Sequence, residues 1–488
     1  MAAKCDAPAE TWARINDFVG GKWDAEVVPT LSEYIKVPNL SPMFDPDFAT
    51  NGLQEKAFAL LIDWLKQQPV KGMKYELLEE QGKPPFLCIE IDGTVPTAKT
   101  LLMYGHMDKQ PPLRPWAEGL DPYEPVIRDG KLYGRAGADD GYAIFASVLS
   151  VMALQREGIP HSRVCIIIEA DEESGSSSLK GWIEKTKDRL GDVDLVITLD
   201  SGSCSYDQLW VTTSLRGVAI VSVECSTLYE GMHSGIAGGV VPDTTRILRH
   251  QLDNVEDSRT GDIKVAECHC EIPAAIREGG YASLEKLGFD AFLAQFPFQQ
   301  GVKAENTTSV ADLAIRNFWK PSLTIVGVDG LPSVADGGNV LRQLTRFKLS
   351  IRLPPNVDGA VAAKAVAAAL ERDPPNGVTV KATVMGFANG WASPPISPWL
   401  MESLNTGSQQ VFQKPAALLG LAGTIPFLGM LGEMFPQAQF VISGVLGPQS
   451  NAHGPNEFLH IGFGKGVNGC MARVVADHFV QQPESAKK

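Results

Sequence analysis

The chain has 488 residues, 44% of them hydrophobic and 20% charged. That is enough for two or three domains with cores of their own, and it argues against disorder. A formal net charge of −14 speaks against nucleic acid or an anionic membrane surface as a partner.

In chain order, MAAKCDAPAETWARINDF carries charges throughout and has no apolar centre, so no secretory leader is expected. No apolar run reads as long enough to span a bilayer. WARINDFVGGKWDAEVVPTLSEYIKV and LQEKAFALLIDWLKQQ have helical periodicity. PFLCIEIDG, TLLMYGHMD, RVCIIIEADE and DLVITLDSG are short strand-like runs, and GYAIFASVLSVMALQREG is a long apolar helix among them. This alternation predicts an α/β fold whose central, mostly parallel sheet carries helices on both faces. Ligands collect at the carboxyl ends of such strands. Those ends carry His106, Asp108, Glu172, Glu173 and Asp200.

From about Leu215 the character changes. RGVAIVSVECS and TRFKLSIRLPP read as strands, DTTRILRHQLD and DGAVAAKAVAAALERD as helices, and the region from Glu267 to Asn339 as long and loop-rich. Within it ECHCEI alternates Cys268, His269 and Cys270 and reads as an ordinary strand. PWLMESLNTGSQQVF and AQFVISGV restore the helix and strand alternation. The expected organisation is a main α/β domain of residues 1–214 and 390–488, interrupted by a smaller α+β domain of residues 215–389. The eight cysteines are scattered and lack any CxxC, which suits free thiols in a reducing cytoplasm.

Five segments carry candidate chemistry. In TLLMYGHMDKQPP, strand alternation puts His106 and Asp108 on one face. A carboxylate beside an imidazole can fix its tautomer and leave the other nitrogen for a metal or a proton; on this segment alone a structural hydrogen bond reads as well. In YGRAGADDGYAIF, Asp139 and Asp140 follow a glycine-rich turn before a helix, where helix capping is the plain alternative. IIIEADEESGSSS gathers Glu169, Asp171, Glu172 and Glu173 at the end of an interior strand, where a cation would relieve their repulsion. Asp200 ends DLVITLD, and His453 lies in the loop SNAHGPNEF.

Taken in order, these segments resemble the M20 family of metallopeptidases. The resemblance runs from about His106 to His453, and the length, HMDKQPP, GMHSGIAGG and SIRLPP lean toward its carnosinase-like dipeptidase branch. It implies two divalent metal ions per subunit, zinc first, with manganese or cobalt also suited. His106 and Asp200 would hold one ion, Glu173 and His453 the other, with Asp139 between them. Asp139 is taken over Asp140 because the family's bridging residue is the first acid of its D-D-K-G or D-M-K-G pair. The family's lysine is absent, since Gly141 and Tyr142 follow. The resemblance makes Asp108 the carboxylate that orients His106 and Glu172 the general base.

Further matches lie downstream. YEGMHSGIAGG resembles the family's lid motif, so His233 is expected to stabilise the oxyanion, in dimeric members from the neighbouring subunit. A homodimer through the inserted domain follows. KLSIRLPP presents Arg352 as a binder of a substrate carboxylate, and GTIPF presents Gly423 and Thr424 as a substrate-binding loop. The implied activity is hydrolysis of the amide bond of dipeptides or short peptides with a free C-terminal carboxylate. The alternatives are an N-acyl amino acid deacylase of the same family and, in another class, a non-catalytic binding protein that retains the fold.

Overall fold

The computed structural model describes residues 4–305, 309–423 and 426–482. The chain divides into two compact units. Residues up to Thr213, Ser393–Leu419 and those from Met430 onward form the first, and Ser214–Ala392 with Gly420–Gly429 form the second.

The first unit is built on a six-stranded sheet in the order Met73–Leu78, Phe86–Ile91, Arg163–Glu169, Thr100–His106, Val193–Thr198, Gln439–Ile442. The last four strands are mutually parallel, and Phe86–Ile91 alone runs against them, pairing antiparallel with both of its neighbours. The parallel strands are apolar on both faces because both are covered. Leu101, Met103, Ile166 and Ile197 belong to a core shared with the helix Ala143–Arg156. On the other face Phe86 stacks on Trp182 of the helix Leu179–Leu190 at 5.8 Å.

The stretch Gly137–Arg156 is, by length and composition, apolar enough to cross a membrane, contrary to the expectation from sequence. Every residue from Ala143 to Leu154 is buried inside the protein, so its apolarity serves the core. It packs beside the final helix Ile461–Gln481, whose Asn468 amide donates to the carbonyl of Ala146 and to Ser150 Oγ, both at 2.8 Å. A small antiparallel sheet joins Phe458–His460 to Lys131–Tyr133, with Phe458 opposite Tyr133. That pairing brings the loop of His453 beside the turn that follows Tyr133.

The second unit is a four-stranded antiparallel sheet in the order Ser322–Asp329, Leu344–Leu353, Gly217–Ser226, Val380–Ala388. Strict alternation along Gly217–Ser226 buries Ala219, Val221, Val223 and Cys225 against the helices Thr244–Leu252 and Gly359–Glu371. Two expectations fail here. ECHCEI is no strand: Ala266–Cys268 forms a single tight helical turn, and His269 Nε2 reaches back to the Ile263 carbonyl at 2.8 Å. The region read as loop-rich contains the helix Val310–Trp319, capped by Ser309 Oγ on the Asp312 N–H, and the edge strand Ser322–Asp329.

Candidate metal centre

The parallel strands end together. His106 is the last residue of its strand and pairs with Glu169, the last of the neighbouring one. Asp108 lies beyond the strand end, so the turn, not strand alternation, sets its side chain against the ring. Its Oδ1 stands 3.3 Å from His106 Nδ1, and both side chains are fully buried. The same carboxylate accepts the backbone N–H of Glu172 at 3.2 Å and of Glu173 at 3.0 Å. It therefore fixes the turn that carries both glutamates as well as the imidazole.

Asp200 follows the strand Val193–Thr198 by two residues and is buried. Its Oδ2 lies 3.8 Å from His106 Nε2. Asp139 reaches the same nitrogen with Oδ1 at 3.4 Å, while its Oδ2 lies 3.0 Å from Nε2 of His453. His453 Nε2 is in turn 3.2 Å from Glu173 Oε2. Two donor groups result, His106, Asp139 and Asp200, and Asp139, Glu173 and His453, each with ligand atoms within 4.8 Å of one another. Asp139 belongs to both and divides its two oxygens between them.

Close packing puts Asp139 there. Gly105 has no side chain to obstruct the turn: a Cβ on it would meet Ala143 Cβ at 2.7 Å and Asp140 Oδ2 at 3.1 Å. The turn Gly137–Gly141 leads into the helix Ala143–Arg156, and the Asp139–Asp140 peptide is cis. Neither acid caps the helix. Where the family's lysine is missing, a Cβ on Gly141 would strike the Tyr34 ring and the Ala136 carbonyl. Tyr34 fills that space and donates its hydroxyl to the Met107 carbonyl at 2.6 Å.

The electrostatics fit a cation. Burial, then the charges of Asp139 and Glu173, push Asp200 up to about 8 despite the opposing His106. Burial and the charge of Asp200 hold Glu172 well above the carboxylate range, and burial with Asp139 raises Glu173. For the imidazoles burial works downward and is outweighed: Asp139 and Glu173 take His453 up to about 11, and Asp108 and Asp139 raise His106. Asp139 is held low by those two rings against its burial. Acids crowded this way need positive charge, and a divalent cation supplies it while leaving the rings neutral to coordinate. Buried His106 Nε2 makes no hydrogen bond, yet it faces two carboxylates. Nitrogen and carboxylate donors without thiolate suit zinc, manganese or cobalt.

Of the four acids in IIIEADEESGSSS, two serve the frame. Glu169 accepts from Tyr104 at 2.5 Å and Ser176 at 2.9 Å, and Asp171 accepts from Ser177 and Ser178 at 2.9 Å. Two residues next to the motif escaped the sequence reading. Gln110 donates to Glu173 Oε2 at 2.7 Å. Lys109 is fully buried and donates to the carbonyls of Tyr34, Ile35 and Val37 at 2.8, 3.2 and 2.6 Å, closing the end of the helix Val28–Ile35. Their adjacency in HMDKQPP was the available signal.

His233 and Arg352 belong to the second unit. His233 is exposed, and its Nδ1 accepts the Gly235 N–H at 3.1 Å. Arg352 is half-buried on the strand Leu344–Leu353 opposite Val218. Gly423 is half-buried in the same unit, and Thr424 lies outside the described residues.

Comparison with known proteins agrees with this geometry. Residues 102–474 match the model of Peptidase family M20/M25/M40. The cysteinylglycine-S-conjugate dipeptidase of Corynebacterium striatum is 26% identical over 370 residues, 76% of this chain and 79% of that protein. The human Beta-Ala-His dipeptidase is 27% identical over 436 residues, 85% of this chain and 80% of that protein. The crystal structure of human carnosine dipeptidase 1 shares the fold, with a TM-score of 0.75 at 24% identity, covering 96% of this chain and 98% of its own.

Proposed function

We propose that this chain, which belongs to peptidase family M20/M25/M40, is a two-metal dipeptidase acting on dipeptides or short peptides with a free C-terminal carboxylate. It is an enzyme of peptide-bond hydrolysis, and its relatives include metal-dependent dipeptidases. The observation that carries the two-metal reading is the division of Asp139, one oxygen toward His106 and the other toward His453. His106, Asp139 and Asp200 would hold one cation, and Asp139, Glu173 and His453 the second, with zinc the first choice. When bound, such a pair lowers the pKa of water toward neutrality and polarises a carbonyl.

The chain's own groups do the rest. Asp108 orients the His106 ring and anchors the glutamate turn. Glu172 belongs to neither donor group, and burial with the nearby Asp200 charge raises its proton affinity, which suits a carboxylate that accepts a proton once cations balance the surrounding acids. It is the group available to take the proton as water adds to the scissile carbonyl carbon. It returns that proton to the departing amine nitrogen as the C–N bond breaks. His233 would donate to the oxyanion and Arg352 would fork onto the substrate carboxylate, with Gly423 and Thr424 proposed as a substrate-binding loop.

We also propose a homodimer through the second unit. Tyr229, Met232, Ile236, Val240 and Val340 are exposed apolar residues around His233. The eight cysteines are all free, which supports a reducing, cytoplasmic setting.

The test is reconstitution. Chelator-stripped protein should be inactive and regain turnover of a dipeptide panel on adding zinc or manganese. Release of acetate from N-acetyl amino acids without cleavage of any dipeptide would overturn the substrate assignment. Mass in solution tests the dimer, and a mixture of Glu172 and His233 variants should regain activity only if sites are shared.

A further inference from the structure

Arg135 and Glu457 form an ion pair at 2.5 Å whose side chains are 1% and 0% exposed. Burying two charges costs so much solvation that such a pair is a poor source of stability. Its geometry points elsewhere. Through Nη2, Arg135 donates to the carbonyl of His453 at 3.0 Å and of Gly454 at 2.9 Å. Glu457 accepts the Ala136 N–H on Oε1 at 3.0 Å, and its carbonyl accepts the Gly134 N–H at 3.0 Å. The pair thus ties the segment just before Asp139 to the loop of His453, more than three hundred residues later in the chain.

That loop needs holding. Gln449, Asn451, His453 and Asn456 all take positive φ, 62° at His453 itself, a conformation that costs a non-glycine residue energy. His453 is also the most exposed donor, at 55%, whereas Glu173 and Asp139 are at 4% and 6%. The other donor group takes His106 and Asp200 from the ends of buried strands and meets the bracket only through the shared Asp139.

We propose that Arg135, locked by Glu457, is a positioning residue for the second cation: it sets the His453 imidazole against Asp139 and Glu173 without touching cation or substrate. The inference rests on the two-metal reading above and makes the two positions unequal, the second depending through its whole His453 loop on a bracket that the first meets only at the shared Asp139.

Zinc titration of metal-stripped protein, with urea unfolding of the same samples, tests it on the wild type, R135K, R135M and R135M/E457M. Fewer than two ions on the wild type would overturn the two-metal reading itself. With two ions bound there, R135M should keep one and bind the second about 10–100-fold more weakly. The double variant leaves neither partner's charge buried alone, so it should recover part of the unfolding midpoint that R135M loses. It should not recover the second ion, because methionine cannot donate to the His453 and Gly454 carbonyls. R135K, which retains charge and donors, should restore part of that affinity. A double variant that binds both ions as the wild type does would overturn the inference, as would folded variants that lose both ions equally. If R135M does not fold, the double variant decides alone.

Discussion

Asp108 Oδ2 accepts the backbone N–H of Glu173 at 3.0 Å while Oδ1 of the same carboxylate faces His106. One buried side chain thus aligns an imidazole from one strand end with a glutamate turn from the next. Asp108→Asn keeps the shape, removes the charge and sets an amide N–H₂ against one of the two backbone N–H groups. Metal affinity is expected to fall by about 10–100-fold, the usual cost of losing a carboxylate behind a histidine ligand. Metal titration checks this, and unchanged affinity would show that Asp108 is only a structural anchor.

Glu172 and Glu173 are neighbours with separate tasks in the proposed site. Glu172→Gln removes the proton acceptor and leaves both donor groups whole, so turnover should fall by roughly 10²–10⁴-fold. Metal content, measured on the same preparation, should stay at the wild-type level. Glu173→Gln should instead lose metal with activity. Equal metal loss in both variants would place Glu172 among the ligands.

Much of this arrangement was legible in the chain because hydrophobic runs stop abruptly at acids and imidazoles. TLLMYGH and DLVITLD can only be interior strands with polar ends, and their order along the chain carried the resemblance. Residue type could not say which acids serve which purpose. Glu169 and Asp171 look like Glu173, and only the turn geometry assigns them to hydroxyls and backbone N–H groups. The Arg135–Glu457 bracket was invisible because its members meet through the pairing of Tyr133 with Phe458. The final helix was hidden by the glycines of IGFGKGVNGC, which break helices in isolation. Here Gly464 has the Trp23 ring where a Cβ would lie, so the missing side chain permits the packing.

Gly105 shows the same logic at the site. Gly105→Ala places a methyl 2.7 Å from Ala143 Cβ, on the helix that follows the Asp139 turn. Overpacking of this kind costs about 1–3 kcal/mol, and the turn must move, so metal affinity should drop with stability. Ala143→Gly in the same chain opens the space again. Both properties should then recover beyond the sum of the single changes in a double-mutant cycle. Simple additivity would mean that the two residues do not collide.

His161 supplies a pH dependence away from the metal centre. It is buried, its Nδ1 donates to the Ser162 carbonyl at 2.8 Å, and its Nε2 lies 3.1 Å from the Gln155 amide nitrogen. Gln155 cannot turn over, because its amide oxygen accepts the Lys71 N–H at 2.8 Å and its nitrogen donates to the Lys71 carbonyl at 3.0 Å. The amide therefore donates to Nε2, and a proton there would set donor against donor. Burial lowers the pKa from 6.5, with the Ser162 carbonyl opposing in part. The unfolded chain then holds more protons than the folded one as pH falls through 6.5, so the His161 contribution to stability rises with pH across that interval and is complete above it. His161→Gln removes this term, and urea unfolding between pH 5 and pH 7.5 reads it. The wild type should gain more stability than the variant on going to the higher pH, and parallel profiles would mean that His161 titrates alike in both states.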